Sequence, residues 1–179
     1  MNPARQRTKP KKIDQEARLF KTYYKSPIGA IEILGTKEGI VSVNFVEGRV
    51  RSDAKIPRVI TGCRKQIDEY FRGKRKKFSL NLLLYGTDFQ KSVWQQLLKI
   101  SYGKTASYGA IAKSIRSPNA FRAVGNANNK NPLAIVVPCH RIIGSNGNLI
   151  GYGGGLWRKL WLLEHEGLLV NGNKVISKH

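Results

Sequence analysis

The chain has 179 residues, of which 41% are hydrophobic and 24% are charged, and this composition is typical of a globular protein rather than a disordered one. Its 32 lysines and arginines against 11 acidic residues give a net charge of +21, which favours a polyanionic partner, nucleic acid first and an acidic membrane surface second. Two cysteines exclude a disulfide-stapled secreted domain, and no apolar run approaches the roughly 20 residues of a membrane span. We therefore expect a protein that is not secreted, cytoplasmic in a prokaryote or nuclear in a eukaryote.

The basic residues are unevenly distributed along the chain. Residues 1–17 are polar and basic without a periodic pattern, which predicts a disordered tail that either adds phosphate contacts or is simply solvated. The 75 residues from 89 to 163 contain ten lysines and arginines but no acidic residue. Carboxylates facing phosphates would weaken binding, so this window has the composition of a surface that lies against DNA.

Residues 18–87 predict a small α/β domain. Residues 23–45 contain a short apolar run followed by apolar residues at every second position, which predicts a β-hairpin. The turn of this hairpin contains Gly39, which can adopt a positive φ. Apolar residues at helical spacing predict a helix over 59–71, and residues 77–84 read as another strand. The first domain is thus expected to hold a hairpin or a three-stranded sheet covered by one helix.

Residues 88–170 predict a mostly helical domain, followed by a C-terminal tail over 171–179. The sequence Thr-Asp-Phe-Gln at 87–90 fits a capping box, and the apolar spacing after it predicts a helix to about Ile100. A last amphipathic helix ends at Gly167. Together the two domains predict the α/β fold class, with the helical domain second.

Two short helices in the second domain suggest a helix-turn-helix. Ser107 can cap the first helix, and Pro118 suits the first turn of the second, which runs to Asn128. Small residues keep the second helix slim. It could therefore enter a narrow DNA groove or pack closely on another helix, and these residues alone leave both interpretations open.

Cys139 is the candidate nucleophile. A cysteine becomes nucleophilic when a base or a positive environment favours its thiolate, and His140 is adjacent to it in sequence. Glu164 and Glu166 end the last helix in an otherwise acid-free half, and a carboxylate there could orient His140. Asn131 could brace the turn before the cysteine. A buried core cysteine is the alternative.

Ordered motifs surround this cysteine over most of the chain. They are Tyr24–Gly29, Arg122–Gly125, Asn131-Pro132, Ile135–Ile143, Tyr152–Leu156 and Leu162–Gly167. On these motifs, residues 20–168 resemble the O6-alkylguanine-DNA alkyltransferases, also called methylated-DNA–protein-cysteine methyltransferases. The resemblance implies repair of double-stranded DNA by irreversible transfer of one alkyl group from O6 of guanine to the protein's own cysteine, with O4 of thymine as a second candidate substrate.

The resemblance also implies a role for each site residue. Cys139 would be the nucleophile, with His140 as its base through a water molecule and Glu166 orienting the imidazole. Asn131 would brace the active-site turn, and Tyr108 would donate a hydrogen bond toward N3 of the departing guanine. Contacts to the flipped base would come from Tyr152 by stacking, from the N–H of Gly153 toward O6, and from Val137.

DNA contacts are the third group of implied residues, with Arg122 filling the place of the flipped base in the stack. The expected DNA-binding residues are Ser107, Arg122, Ala123, Gly125, Ala127 and Arg141. We expect a monomer without a cofactor, and no metal, because Cys63 is alone in a first domain that has no histidine. The rival functions are a non-catalytic sensor of alkylated DNA, a Cys–His hydrolase and a plain DNA-binding regulator.

Overall fold

The computed structural model describes residues 18–48 and 50–176, so the predicted basic tail lies outside the described residues. The first domain is an antiparallel sheet of three strands in sequence order, covered on one face by a helix. Its elements are β1 (Phe20–Ser26), β2 (Gly29–Gly35), β3 (Ile40–Val46) and α1 (Arg58–Phe71). The predicted hairpin and helix are therefore confirmed, and β1 adds the third strand at the edge.

The turn between β2 and β3 depends on close backbone approach rather than on a left-handed residue. Thr36 N donates to Gly39 O at 2.9 Å. We expected a positive φ at Gly39, but it is not among the residues with positive φ. A Cβ added to Gly39 would instead lie 2.8 Å from Asn81 O and 2.9 Å from Leu83 Cγ, so glycine is needed for space. Residues 77–84 do not form the predicted strand; they are an extended segment with one isolated bridge, between Ile40 and Leu82.

The second domain is helical, as predicted. The capping box is present, since Gln90 N donates to Thr87 Oγ1 at 3.2 Å and Thr87 N donates to Gln90 Oε1 at 2.9 Å. The helix it begins ends earlier than expected, at Leu97. The elements are α2 (Asp88–Leu97), β4 (Ala106–Ser107), α3 (Tyr108–Ser114), α4 (Phe121–Asn129), a 3-10 helix (Cys139–Arg141), β5 (Ile142–Ile143) and α5 (Leu156–His165).

α3 and α4 are the predicted helix pair, but α4 begins three residues later than the sequence indicated. Arg116 closes α3 in a left-handed conformation with φ 57°, and Ser117 N donates back to Ala112 O at 2.9 Å. Ala120 N then donates to Ser117 O, so Pro118 lies in a turn rather than in the first turn of the helix. Ser107 caps α3 as expected, accepting from Ala110 N at 3.1 Å.

We predicted a C-terminal tail over residues 171–179, but the chain is folded up to Ile176. Strands β6 (Leu169–Asn171) and β7 (Lys174–Ile176) form a hairpin. Its partly buried valines pack on a small apolar cluster that contains Ile143, Leu149 and Leu163. Residues 177–179 lie outside the described residues. No helix within the described ranges is long and apolar enough to cross a membrane.

The two domains share one hydrophobic core. Ile33 and Tyr70 of the first domain belong to the same buried cluster as Trp94 and Leu133 of the second. Two backbone hydrogen bonds of 2.8 Å join β3 to the second domain: Val43 N donates to Pro132 O, and Ala134 N donates to Val43 O. β3 is therefore fixed directly to the segment that leads to Cys139.

Tight packing at Gly39 and open space at Gly62 predict opposite effects of a glycine-to-alanine substitution. Gly39→Ala should lower the free energy of unfolding by about 1–3 kcal/mol, because its Cβ would overlap Asn81 O. Gly62→Ala, inside α1 with nothing within 4 Å of the added Cβ, should raise it by about 0.5–1 kcal/mol. Urea unfolding of both variants beside the parent measures this. Equal effects would contradict the close-approach explanation.

Candidate active site

A braced and strained turn presents Cys139. Asn131 Nδ2 donates to Val137 O at 2.8 Å, and Asn131 Oδ1 accepts from Leu133 N at 3.0 Å, so one amide spans the turn in the way the sequence predicted. Ile135 has φ 71°, which is rare for a β-branched residue and costs about 1–3 kcal/mol. Such strain persists only where the surrounding structure imposes it, here the core and the Asn131 hydrogen bonds.

Cys139 begins the 3-10 helix and lies in the wall of a cavity of about 430 Å³. Only 6% of the residue is exposed. Burial raises the pKa of its thiol, and this effect outweighs a hydrogen bond from Asn131, the charge of Lys159 and nearby backbone N–H groups, all of which lower the pKa. The neutral thiol is therefore the resting form, and a reaction at sulfur needs a group that takes its proton.

Glu166 is buried and accepts five hydrogen bonds. Its Oε1 accepts from His140 Nε2 at 2.8 Å, Arg141 Nη2 at 2.9 Å and Tyr70 OH at 2.9 Å. Its Oε2 accepts from Arg141 Nε at 2.9 Å and Gly103 N at 3.1 Å. These donors saturate the carboxylate, which explains how a charged group lies in the interior.

The charges of this network fix the state of the imidazole. Burial alone would raise the pKa of Glu166, but hydrogen bonds from His140 and Arg141 and the charge of Arg141 hold this pKa well below its usual range. Burial lowers the pKa of His140, and its interaction with Glu166 offsets this only in part. We take Arg141, which is always protonated, as the main counter-charge and His140 as neutral. His140 then donates from Nε2, and its Nδ1, which has no partner among the described residues, is the basic nitrogen.

Tyr70 was not expected at the site. It is fully buried on the apolar face of α1, and its hydroxyl crosses from the first domain to Glu166. The sequence indicated only that a tyrosine on a buried helix face needs a hydrogen-bond partner for its hydroxyl. Sequence separation of 96 residues concealed which partner it was.

Three residues predicted to contact DNA or the flipped base lie in the interior instead. Arg141 is 6% exposed; besides Glu166, its Nη1 donates to Ile100 O at 2.5 Å, so a phosphate contact would have to break these bonds. Ala127 is 2% exposed on the inner face of α4. Val137 packs in the core, and its carbonyl is occupied by Asn131. Burial of these side chains therefore corrects the prediction for all three.

The other predicted DNA contacts lie nearer the surface. Arg122 and Ala123 are exposed on α4, and Gly125 is partly exposed. Phe121 is 50% exposed, with the guanidinium of Arg122 5.8 Å from its ring centroid. Ser107 is half-buried, and its hydroxyl is used as a helix cap. The outer face of α4 thus presents Arg122 and the small residue Ala123 to solvent, beside the bulky ring of Phe121.

Two of the residues predicted to meet the base lie beside Cys139. Tyr152 and Gly153 line the same cavity as Cys139. The hydroxyl of Tyr152 is buried and has no partner among the described residues. Tyr108 OH donates to Ile150 O at 3.2 Å, which holds this hydroxyl at the loop before Tyr152. A Cβ added to Gly153 would meet only Asn129, with Oδ1 at 3.7 Å and the backbone O at 3.9 Å, so the position has room for a side chain.

Lys159 is a second residue that the sequence analysis missed. It is fully buried on α5, and its Nζ donates to the carbonyls of Ile142 at 2.5 Å, Ile150 at 2.7 Å and Gly151 at 3.2 Å. Burial lowers its pKa to about 8, although Cys139 acts in the opposite direction. Lys159 thus clamps the loop beside the cavity and directs a positive charge toward the thiol. Its position on the apolar face of a helix was the signal.

Two family models match consecutive parts of the chain. Residues 19–84 match the ribonuclease-like domain of 6-O-methylguanine DNA methyltransferase. Residues 88–168 match the DNA binding domain of the same family. The boundary between the two matches lies where the first domain meets α2.

Named relatives agree with these matches. A methylated-DNA–protein-cysteine methyltransferase of Mycobacterium leprae is 60% identical over 149 residues, covering 79% of this chain and 88% of the relative. The enzyme of the same name from Methanosarcina acetivorans is 46% identical over 154 residues, covering 83% and 99%. The crystal structure of Mycobacterium tuberculosis OGT in complex with DNA superposes with a TM-score of 0.74 at 46% identity, covering 80% of this chain and 90% of that one.

The three hydrogen bonds from Lys159 to backbone carbonyls predict that it stabilises the fold, in addition to the effect of its charge on the thiol. Lys159→Met should lower the free energy of unfolding by about 2–4 kcal/mol, because three buried carbonyls lose their donor. Lys99→Met, at an exposed position, should change it by less than about 0.5 kcal/mol. Denaturant unfolding compares the two variants. If they were equally stable, Lys159 would not clamp the loop.

Proposed function

The chain belongs to the 6-O-methylguanine DNA methyltransferase family, and on that premise we propose that Cys139 is the residue that receives the alkyl group from O6 of guanine in duplex DNA. Its enzymatic activity is that of a methylated-DNA–protein-cysteine methyltransferase. The main support for the proposal is the hydrogen bond between Glu166 and His140, next to a cysteine that lines a cavity. This arrangement supplies a proton acceptor for a thiol that burial keeps neutral.

The transfer step is a single displacement. The sulfur of Cys139 forms a bond to the alkyl carbon as the carbon–O6 bond breaks, and the electron pair of that bond leaves with the guanine. The proton of the thiol passes to Nδ1 of His140 through a water molecule, and the guanine finally takes up one proton, so the charge balances. General-base assistance of this kind contributes roughly 10²–10⁴-fold in rate.

Hydrogen bonds to the guanine would stabilise it as it leaves. Tyr108 lies beside the loop that carries Tyr152 and can turn its hydroxyl from Ile150 O toward N3. The backbone N–H of Gly153 donates toward O6, and the ring of Tyr152 stacks on the base. Donors placed where negative charge develops are worth several kcal/mol in a dry site. The thioether product has no simple route to hydrolysis, so each molecule acts once.

The damaged base must leave the helix to reach this cavity. An O6 atom inside a duplex is inaccessible to a buried sulfur, which is why enzymes that act on bases flip them out of the stack. α4 then enters the minor groove and Arg122 occupies the gap left by the base. The exposure of Arg122 and the DNA complex of the M. tuberculosis relative support this. All the residues assigned to the reaction belong to one chain, and the proposed acting form is a monomer.

Intact-protein mass spectrometry tests the proposal. Mixing the protein with a duplex that contains one O6-methylguanine should add the mass of one methyl group, never more, and peptide mapping should place it on Cys139. Cys139→Ala should bind the duplex and gain no mass. Tight binding without any mass gain in the parent protein would instead identify it as a non-catalytic sensor of alkylated DNA.

Arg122→Ala tests base flipping. The rate of transfer from duplex DNA should fall about tenfold or more, because no side chain then occupies the gap left by the flipped base. The rate of transfer from free O6-methylguanine base should fall by less than about twofold. Arg64→Ala, which removes the same charge from an exposed position on α1, serves as the control and should affect neither rate appreciably. Equal losses on duplex and free base would exclude the role of Arg122 in flipping.

A further inference from the structure

The cavity beside Cys139 is not built by the second domain alone. Asn44, Phe45 and Glu47 of the first domain also line it. Phe45 is the largest apolar group among these three, and it is half-buried at the end of β3. The first domain therefore contributes an aromatic wall to the space into which a group bonded to the sulfur would extend.

Hydrogen bonds fix the position of this wall relative to the sulfur. Val43, two residues before Phe45, exchanges backbone hydrogen bonds of 2.8 Å with Pro132 and Ala134. Ala134 lines the cavity too. A shift of the β3 backbone away from the cavity at Val43 would thus break the hydrogen bonds that join the two domains.

Arg158 holds the other side of the same wall. Its guanidinium lies 4.7 Å from the ring centroid of Phe45. It donates from Nε to Ile28 O and from Nη1 to Gly154 O, both at 2.8 Å. One side chain of the second domain thus connects the first domain, the Phe45 ring and the loop after Tyr152.

The contact between Phe45 and this loop leaves little free space. A Cβ added to Gly154 would lie 3.1 Å from Cδ2 of Phe45 and 2.8 Å from Cε1 of Tyr152. The ring and the loop therefore touch at the position of Gly154. The Phe45 ring therefore bounds the cavity where it meets this loop, and enlarging or reducing the ring should change the space available there.

We propose that Phe45 is a specificity-determining residue that limits the size of the O6-alkyl group. The inference rests on the proposed transfer to Cys139. The attacked carbon must lie at the sulfur, so every further carbon of the alkyl group must fit in the remaining cavity, toward Phe45 and Gly154. A methyl group has no further carbon, whereas a benzyl group adds a phenyl ring that must fit in the cavity that Phe45 lines.

The test compares two duplexes, identical except that one holds O6-methylguanine and the other O6-benzylguanine. Single-turnover transfer rates are measured by intact mass for the parent, Phe45→Ala, Phe45→Leu and Phe45→Trp. The ratio of the benzyl rate to the methyl rate should rise about tenfold in Phe45→Ala, rise less in Phe45→Leu and fall about tenfold in Phe45→Trp. Because each ratio is taken within one variant, partial loss of folded protein cancels.

Phe20→Leu is the matched control, since Phe20 belongs to the same sheet and does not line the cavity; its ratio should equal that of the parent. An unchanged ratio in all Phe45 variants, with methyl transfer intact, would overturn the inference and leave the proposed function standing. A ratio that falls in Phe45→Ala and rises in Phe45→Trp would also overturn it, because the ring would then attract the alkyl group. Absence of methyl transfer in the parent protein would overturn the proposed function itself.

Discussion

The site depends on one buried negative charge. Removing Glu166 from water is costly, and the cost is offset only because its five hydrogen-bond donors, Arg141 foremost, are all in place. Those donors come from different parts of the chain: Tyr70 from the first domain, Gly103 from the segment after α2, and His140 and Arg141 from the 3-10 helix. Folding of both domains and assembly of the reactive turn are therefore linked through a single carboxylate.

The chemistry of Cys139 follows from this arrangement. A thiol whose pKa is raised by burial is a poor target for oxidants and other electrophiles, because the thiolate is the reactive form. The proposed transfer would consume Cys139 in one reaction, so a resting thiol of low reactivity would be an advantage. In the proposed reaction the neutral imidazole of His140 takes the proton, and the positive charge of Lys159, which lowers the pKa of the thiol, favours the thiolate.

Local patterns predicted local structure well. The capping box at Thr87, the apolar face of α1 and the link from His140 to a carboxylate near the end of α5 could all be inferred from residue type and spacing. The errors lie where tertiary contacts decide. Arginine is a residue type that commonly contacts phosphate, but the burial of Arg141 beside Glu166 is visible only in the three-dimensional structure. Tyr70 and Phe45 reach the site from a distant domain, and no local pattern indicates which cavity they join.

The most direct test of the role of Glu166 is the protonation state of His140, measured by nitrogen NMR on selectively labelled protein. The account predicts a neutral ring at pH 7, with the proton on Nε2 facing Glu166 and Nδ1 free to accept a proton. It also predicts that the ring becomes charged only below the ordinary imidazole pKa of about 6.5. A proton on Nδ1 at pH 7, or a doubly protonated ring at that pH, would contradict it.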